Sequence, residues 1–426
     1  MPFETESTSR PKALWMSLPR LTSAFLQSAF VIIALPVIVL AYTPEDQKGL
    51  QLGLLSALSV VLTIAVLLGT AIASDSLPGS RKRRKPFVIF GHLLVVLAAV
   101  VLSFGHSYIA LITAVMLMVA ARSAIDAAHL PLINDLVPRG ERGRYSAPVG
   151  FMQVAGAAGG AVLAGYLAQE AEKTNQVLSF LSPLALGAVA LALAAGAIFT
   201  SRVNEPPSES SPSGLAALLR NRAGSKERAY YRFMIARTIY LIGIFAVLLF
   251  FVYLVKDVFQ ALDYKLMSGI YYAVAALGAA FFTIPAGWLS DRFGCLPVIY
   301  GCGVTQATSC VIVFFFGYLH PLFAASGALL FGAAFGGMFA SSLALSTKII
   351  PRAGDAAKYM ALLIVSTYAA QLFGSLSAGP TLDYFNRLSS GGGYTALFFL
   401  AVVCFLGGAA ILFRIEEPAV GGGESS

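Results

Sequence analysis

Residues 266–317 read LMSGIYYAVAALGAAFFTIPAGWLSDRFGCLPVIYGCGVTQATSCVIVFFFG. Two apolar runs, 266–289 and 296–317, are joined by a short turn carrying Asp291 and Arg292 side by side. Each run is long enough to cross a hydrocarbon core as a helix, which takes about 20 residues. Backbone groups in lipid must be satisfied within the segment, so continuous runs of this length predict helices. Barrel strands would instead show alternating segments of about ten residues. The pair is predicted to be a transmembrane hairpin with a charged tip.

The same pattern extends in both directions. Spans are predicted at 21–42, 50–73, 86–104, 108–133, 145–168, 178–200, 232–256, 266–289, 296–317, 321–347, 356–380 and 393–414. The composition agrees: 58% of residues are hydrophobic, only 12% are charged, and the mean hydropathy is +0.78. Soluble domains carry roughly a quarter charged residues. The first apolar run has no small-x-small cleavage site after it, so it is read as a retained helix rather than a cleaved signal.

The net charge of +8 would suggest a nucleic-acid partner in a soluble protein. Here its placement points elsewhere. Of 29 Lys and Arg, 22 fall in the N-terminus, the even-numbered loops and the C-terminus, counting adjoining span ends, against 5 in the odd-numbered loops. Arg122 and Arg237 lie inside spans. This asymmetry predicts both termini in the cytoplasm and an even number of helices, and excludes nucleic-acid binding.

An internal repeat divides the chain. LVPRGERGRY at 136–145 resembles IIPRAGDAAKY at 349–359, matching Pro138 to Pro351 and Arg139 to Arg352. One extra residue then aligns Tyr145 with Tyr359 and Gly160 with Gly374. Ser74-Asp75 likewise matches Ser290-Asp291. Such repeats accompany transporter folds with a central site between halves. The predicted organisation is a cytoplasmic tail (1–20), a six-helix half (21–200), a linker (201–231), a second six-helix half (232–414) and a tail (415–426). The linker opens with EPPSESSPSG, disordered by composition, and continues into a stretch predicted to form a basic surface helix.

Charges within spans mark function by default, because each is costly in lipid. Arg122 and Asp126 stand four apart in span 4 and share a helix face, and His129 continues that face. A protonatable Asp beside an Arg supplies a route for coupling proton movement to solute binding. The alternative is a static ion pair bracing the bundle. Arg237, early in span 7, reads either as a solute contact or as a snorkelling cation. Tyr240, one turn on, is a candidate lining residue. Gln153 in span 5 and Gln371 in span 11 either bind solute or link helices, and Gln27 in span 1 is a weaker example. Gly156 and Gly160 have the spacing for close helix contact.

Other chemistries lack their residues. Cys295, Cys302, Cys310 and Cys404 form no C-x-x-C pair, and the four histidines show no ligand spacing. There is no phosphate-binding G-x-x-x-x-G-K-[ST] loop, and no haem, flavin or catalytic-triad signature. No cofactor, metal or enzymatic activity is expected.

The turn Gly287-Trp288-Leu289-Ser290-Asp291-Arg292-Phe293-Gly294 reads G-x-L-x-D-R-x-G and resembles the signature loop of the major facilitator superfamily. The first-half counterpart is degenerate: Ala71 replaces the leading Gly, and Asp75 is followed by the basic run 81–85. The resemblance covers the whole chain and implies an all-α fold of twelve transmembrane helices in two pseudo-symmetric halves. It also implies a cytoplasmic gate latch using Asp75 and Asp291, with Gly287, Arg292 and Gly294. Within the superfamily, residues 125–167 resemble helices 4 and 5 of the glycoside/sugar–cation symporters, through Asp126, Pro131, Asp135, Leu136, Val137, Pro138, Arg142 and Gly143. That branch has Asn where Ala128 and His129 stand. The resemblance implies proton-coupled symport of a sugar or glycoside by a monomer in the cell membrane, with Asp126 carrying the proton and Arg122 contacting solute. The alternatives are proton-driven efflux of an amphiphile, and a non-transporting sensor or scaffold.

Overall fold

The computed structural model describes residues 10–76, 84–105, 107–136, 142–174, 176, 178–203, 225–350, 356–389 and 391–413. At 10–13, 71, 74–76, 130–136, 142–146, 225–226 and 356–358 only the backbone is described. Most of the linker, the basic residues Arg81–Arg83 and the Pro138 and Pro351 turns therefore lie outside the described residues.

The described chain is helical throughout. Helix α1 comprises Arg10–Leu26, a π-helical stretch Gln27–Ala34 and Leu35–Tyr42. It is followed by α2 (Lys48–Ser76), α3 (Lys85–Phe104), α4 (Tyr108–Leu136), α5 (Arg142–Lys173) and α6 (Leu181–Arg202). Then come α7 (Ser225–Asp257), α8 (Tyr264–Phe293), α9 (Cys295–Val311, ending in a π turn Ile312–Phe316), α10 (Pro321–Lys348), α11 (Ala356–Leu388) and α12 (Gly392–Leu412). All twelve are long and apolar enough to cross a membrane, in agreement with the hydropathy reading. The main difference is at the start. The predicted span began at Leu21, whereas α1 begins at Arg10, because the apolar residues Leu14, Trp15, Met16 and Leu18 precede Arg20 on the same helix.

The chain divides into two compact units. The first holds Met1–Thr43, Leu58–Pro212 and Asp263–Ala273; the second holds Pro44–Ala57, Ser213–Leu262 and Val274–Ser426. Within the first, α1 packs on α5 and α6, and α3 packs on α4 and α6. Within the second, α7 packs on α11 and α12, and α9 packs on α10 and α12. The pairing repeats, as the sequence repeat requires.

Lipid tails are as apolar as leucine, so packing rather than hydrophobic transfer holds such helices together. Small residues allow the closest approaches. A Cβ on Gly156 would collide with the Leu21 carbonyl, and one on Gly160 with the Phe25 carbonyl. The backbones of α1 and α5 are therefore nearly in contact, which seats the polar groups described next. The turn between α8 and α9 depends on a different glycine property. Gly294 has φ +92° and ψ 158°, a conformation open essentially to glycine alone.

Candidate functional site

In the first unit, Asp126 of α4 is 8% exposed and lies between two guanidinium groups. Arg20 Nη1 of α1 donates to its Oδ1 at 2.8 Å, and Ser23 Oγ donates to the same oxygen at 2.7 Å. Arg122 Nη1, one turn back on α4, reaches Oδ2 at 3.4 Å. Arg20 is held from a second side: its Nε and Nη2 both reach Gln153 Oε1 of α5 at 3.2 Å. The Gly156 and Gly160 contacts bring Gln153 this close to α1.

The two arginines are satisfied unequally. Arg20 has a short charge-assisted bond and a fork onto an amide. Arg122 has one long contact to Asp126, a marginal 3.5 Å contact to Thr63 Oγ1 of α2, and a buried Nε without a partner among the described residues. Buried donors are normally paired, so the Arg122 guanidinium retains bonding capacity. One carboxylate against two cations also leaves the cluster net positive. This arrangement offers hydrogen bonds to a neutral or anionic oxygen and keeps a carboxylate in reach of both.

The residues singled out in the sequence are placed as follows. Arg122, Asp126 and Gln153 come together, joined by Arg20 and Ser23, which sequence reasoning missed. Arg20 looked like one more positive-inside charge next to the apolar run. The signal that marks it is the apolar stretch before it, which extends the helix. His129 is 1% exposed on the same face of α4, but its Nε2 meets the Met16 carbonyl at 2.6 Å and its ring lies edge-on to Phe199. It ties α4 to α1 beside the cluster.

Arg237 and Gln371 lie in the second unit. Arg237 is 3% exposed and reaches α11: Nη1 donates to the Leu363 carbonyl at 3.1 Å, Ser366 Oγ at 2.5 Å and Thr367 Oγ1 at 2.9 Å. Its guanidinium carbon lies 5.4 Å from the centre of the Phe339 ring on α10. Among the described residues its Nε has no partner and no carboxylate pairs with it. The Tyr240 hydroxyl and both side-chain polar atoms of Gln306 are also buried without described partners. Gln371 is half-buried on α11.

The predicted turn is shorter than its motif: Asp291 and Arg292 belong to the last turn of α8, where both are exposed, and Arg292 lies 5.4 Å from both the Trp288 and Phe293 rings. Gly287 has open space where a side chain would stand. Asp75 and Arg142 lie on helix ends whose side chains are outside the described residues. The four cysteines are free, and no metal-ligating cluster occurs among the described residues.

The start of α2 is held by a second polar cluster, in the second unit. Lys48 Nζ contacts Glu45 and Asp257 at 2.5 Å each, Lys256 contacts Glu45 at 2.7 Å, and the Tyr394 hydroxyl donates to Asp257. Asp383 of α11 accepts the Gly49 and Leu50 N–H groups at 2.9 and 2.6 Å, capping α2. Burial pushes the Glu45 carboxyl up, but hydrogen bonds from Lys256 and Lys48, with their charges, hold it below the ordinary value.

Comparison with known proteins agrees with this architecture. The family model of the Major Facilitator Superfamily matches residues 20–357 and 260–425. The chain belongs to the major facilitator superfamily. Solved structures with the same fold include a bacterial homologue of the human lysosomal transporter Spinster in an inward-facing, occupied conformation: TM-score 0.71, 15% identity, 96% of this chain and 97% of that one. The nucleoside transporter NupG gives 0.69 at 14% identity, covering 95% of this chain and 99% of that one. The peptide transporter POT in complex with sulfate gives 0.70 at 15% identity, covering 95% of each chain. At these identities the likeness is one of fold. No curated protein sequence matches. The protein is thus an integral multi-pass membrane protein with a transporter fold of the superfamily.

Proposed function

We propose that this chain is a secondary active transporter that moves a small hydroxylated solute, a sugar or glycoside, together with a proton by alternating access. The observation that carries the reading is Asp126, buried within a span between Arg20 and Arg122. Ionisable groups within spans are costly and mark solute and proton pathways by default. Arg20 is the anchor, fixed to Asp126 and Gln153. Arg122 is the solute contact, because its contact to Asp126 is long and its Nε is free to donate. When a solute oxygen takes Arg122, Asp126 loses one of its two cations and accepts a proton more readily, which is the coupling. Release of the solute restores the Arg122 contact and expels the proton. Asp291 and Arg292 at the end of α8, with Gly287 on the same helix and Gly294 in the turn that follows, and Asp75 and Arg142 at the ends of α2 and α5, serve as the cytoplasmic latch. The protein works as a monomer in the cell membrane with both termini cytoplasmic, on the charge asymmetry of its loops.

The test is external pH in lightly buffered, de-energised cells given a panel of mono- and disaccharides, including sugar acids and sugar phosphates. Alkalinisation with one sugar, lost in Asp126→Asn, supports the proposal. No response to any sugar despite surface expression refutes sugar symport.

A further inference from the structure

The sequence repeat predicts that the Asp126 cluster has a counterpart in the second unit. The matched turns Pro138 and Pro351 fix an offset of 213 residues for α4 and α10, whose first residues, Tyr108 and Pro321, keep it. Asp126 then corresponds to Phe339. One further residue aligns α5 with α11, from Arg142 and Ala356 onward, and Gln153 corresponds to Thr367. Arg20 and Arg237 both stand in the fourth turn of their helices, Arg237 two residues beyond strict register.

The contacts repeat as well. Arg20 reaches Asp126 on α4 and Gln153 on α5. Arg237 lies against Phe339 on α10 and bonds Thr367 on α11. One group is missing: where the first unit holds a carboxylate, the second holds a phenyl ring. Arg237 is nevertheless buried within a span, and among the described residues its Nε has no partner and no carboxylate balances it. An uncompensated guanidinium in such a place is costly, and Ser366 and Thr367 offer only neutral oxygens. Phe339 is 42% exposed, so the ring over the guanidinium is the part of this cluster open to the surroundings. It can turn away without disturbing the buried bonds to α11.

We propose that Arg237 is the binding site for a single oxyanion carried by the transported solute, a carboxylate or a phosphate, and that Phe339 is its displaceable cover. The inference rests on the reading of the chain as a solute transporter and deepens it: the solute is a sugar acid or a phosphorylated sugar rather than a neutral one. It does not rest on proton coupling.

The test uses the purified full chain in detergent at constant ionic strength. Its melting temperature is followed with sodium acetate, inorganic phosphate, galacturonate and glucose 6-phosphate, against chloride and neutral glucose. A ligand at saturation stabilises by mass action, so one oxyanion class should raise the midpoint by a few degrees while chloride and glucose do not. A carboxylate-only response identifies a sugar acid, and a phosphate-only response a phosphorylated solute. Phe339→Asp supplies the missing counter-charge in cis and should abolish the response. Arg237→Gln should do the same. Phe339→Leu, which removes the ring without adding charge, should lower the half-maximal oxyanion concentration severalfold. No response from the wild type, or the same response in Phe339→Asp and Arg237→Gln, overturns the proposal. If Phe339→Asp does not fold, an unchanged half-maximal oxyanion concentration in Phe339→Leu overturns the cover. Asp126→Asn separates the two readings: proton-coupled transport that survives unchanged in this variant, with the oxyanion response intact, removes the coupling reading and leaves this one standing.

Discussion

Replacing Asp126 by Asn removes the one carboxylate that two guanidinium groups share, and its two contacts should not be worth the same. Arg20 Nη1 lies 2.8 Å from Oδ1 and Arg122 Nη1 lies 3.4 Å from Oδ2. Coulomb attraction hardly separates them, at about 6 against about 5 kcal/mol gross for an effective dielectric of ~20. Desolvation takes back most of either value. The hydrogen bond makes the difference. At 2.8 Å it is charge-assisted and contributes about 1.5–3 kcal/mol net, whereas 3.4 Å is outside the usual N–H···O range. The Arg20–Asp126 coupling should therefore exceed the Arg122–Asp126 coupling by about 2 kcal/mol. Double-mutant cycles built from Arg20→Met, Arg122→Met and Asp126→Asn measure both, with unfolding followed in detergent. Asp126→Asn alone leaves two half-buried cations without a counter-charge and should cost about 3 kcal/mol, or roughly 3–5 °C in melting temperature. Equal couplings, or a larger one for Arg122, would refute the assignment of Arg20 as anchor and Arg122 as the group free to meet solute.

Three other expectations follow from the packing and the polar clusters. Gly156→Ala places a methyl against the Leu21 carbonyl and should lower stability by about 1–3 kcal/mol, with weaker transport, since Gln153 moves away from Arg20; a melting temperature at or above wild type would contradict the close α1–α5 approach. Asp383→Ala removes the cap from two N–H groups of α2 and should cost about 1 kcal/mol, whereas an unchanged unfolding midpoint would dismiss the cap. Glu45 has a carboxyl held below its ordinary value of 4.5, so its contribution is complete above that pH and is lost as the pH falls below it. Glu45→Gln should accordingly flatten the acid limb of a stability–pH profile below about pH 5, and an identical limb in the variant would rule out its part.

Much of this was legible in the sequence, for identifiable reasons. The twelve helices follow from hydropathy, because lipid admits few alternatives for a continuous apolar run. Asp126 and Arg122 were legible because charges inside spans are rare and their four-residue spacing puts them on one face. Gln153 stood out as an amide in a glycine-rich run. Arg20 did not, because a cation next to an apolar run is indistinguishable from an orientation charge until the start of the helix is known. Its partnership with Gln153 depends on the approach of α1 to α5, a tertiary fact that Gly156 and Gly160 permit but do not specify. His129 shares a stripe with Arg122, yet seven residues of helix separate them by about 10 Å along the axis. That distance brings it to the Met16 carbonyl instead. Arg237 was legible as a cation inside a span, but its burial and its lack of a carboxylate were visible only once Phe339 was seen lying over it.

The central claim is that Asp126 couples a proton to solute movement, and proteoliposomes test it most directly. The sugar that gives the alkalinisation response is offered to wild type and Asp126→Asn, in counterflow without a gradient and in uptake driven by an inside-alkaline pH gradient. The account predicts that wild type does both, and that Asp126→Asn retains counterflow but accumulates nothing against a gradient. Gradient-driven accumulation that survives unchanged in Asp126→Asn would contradict it.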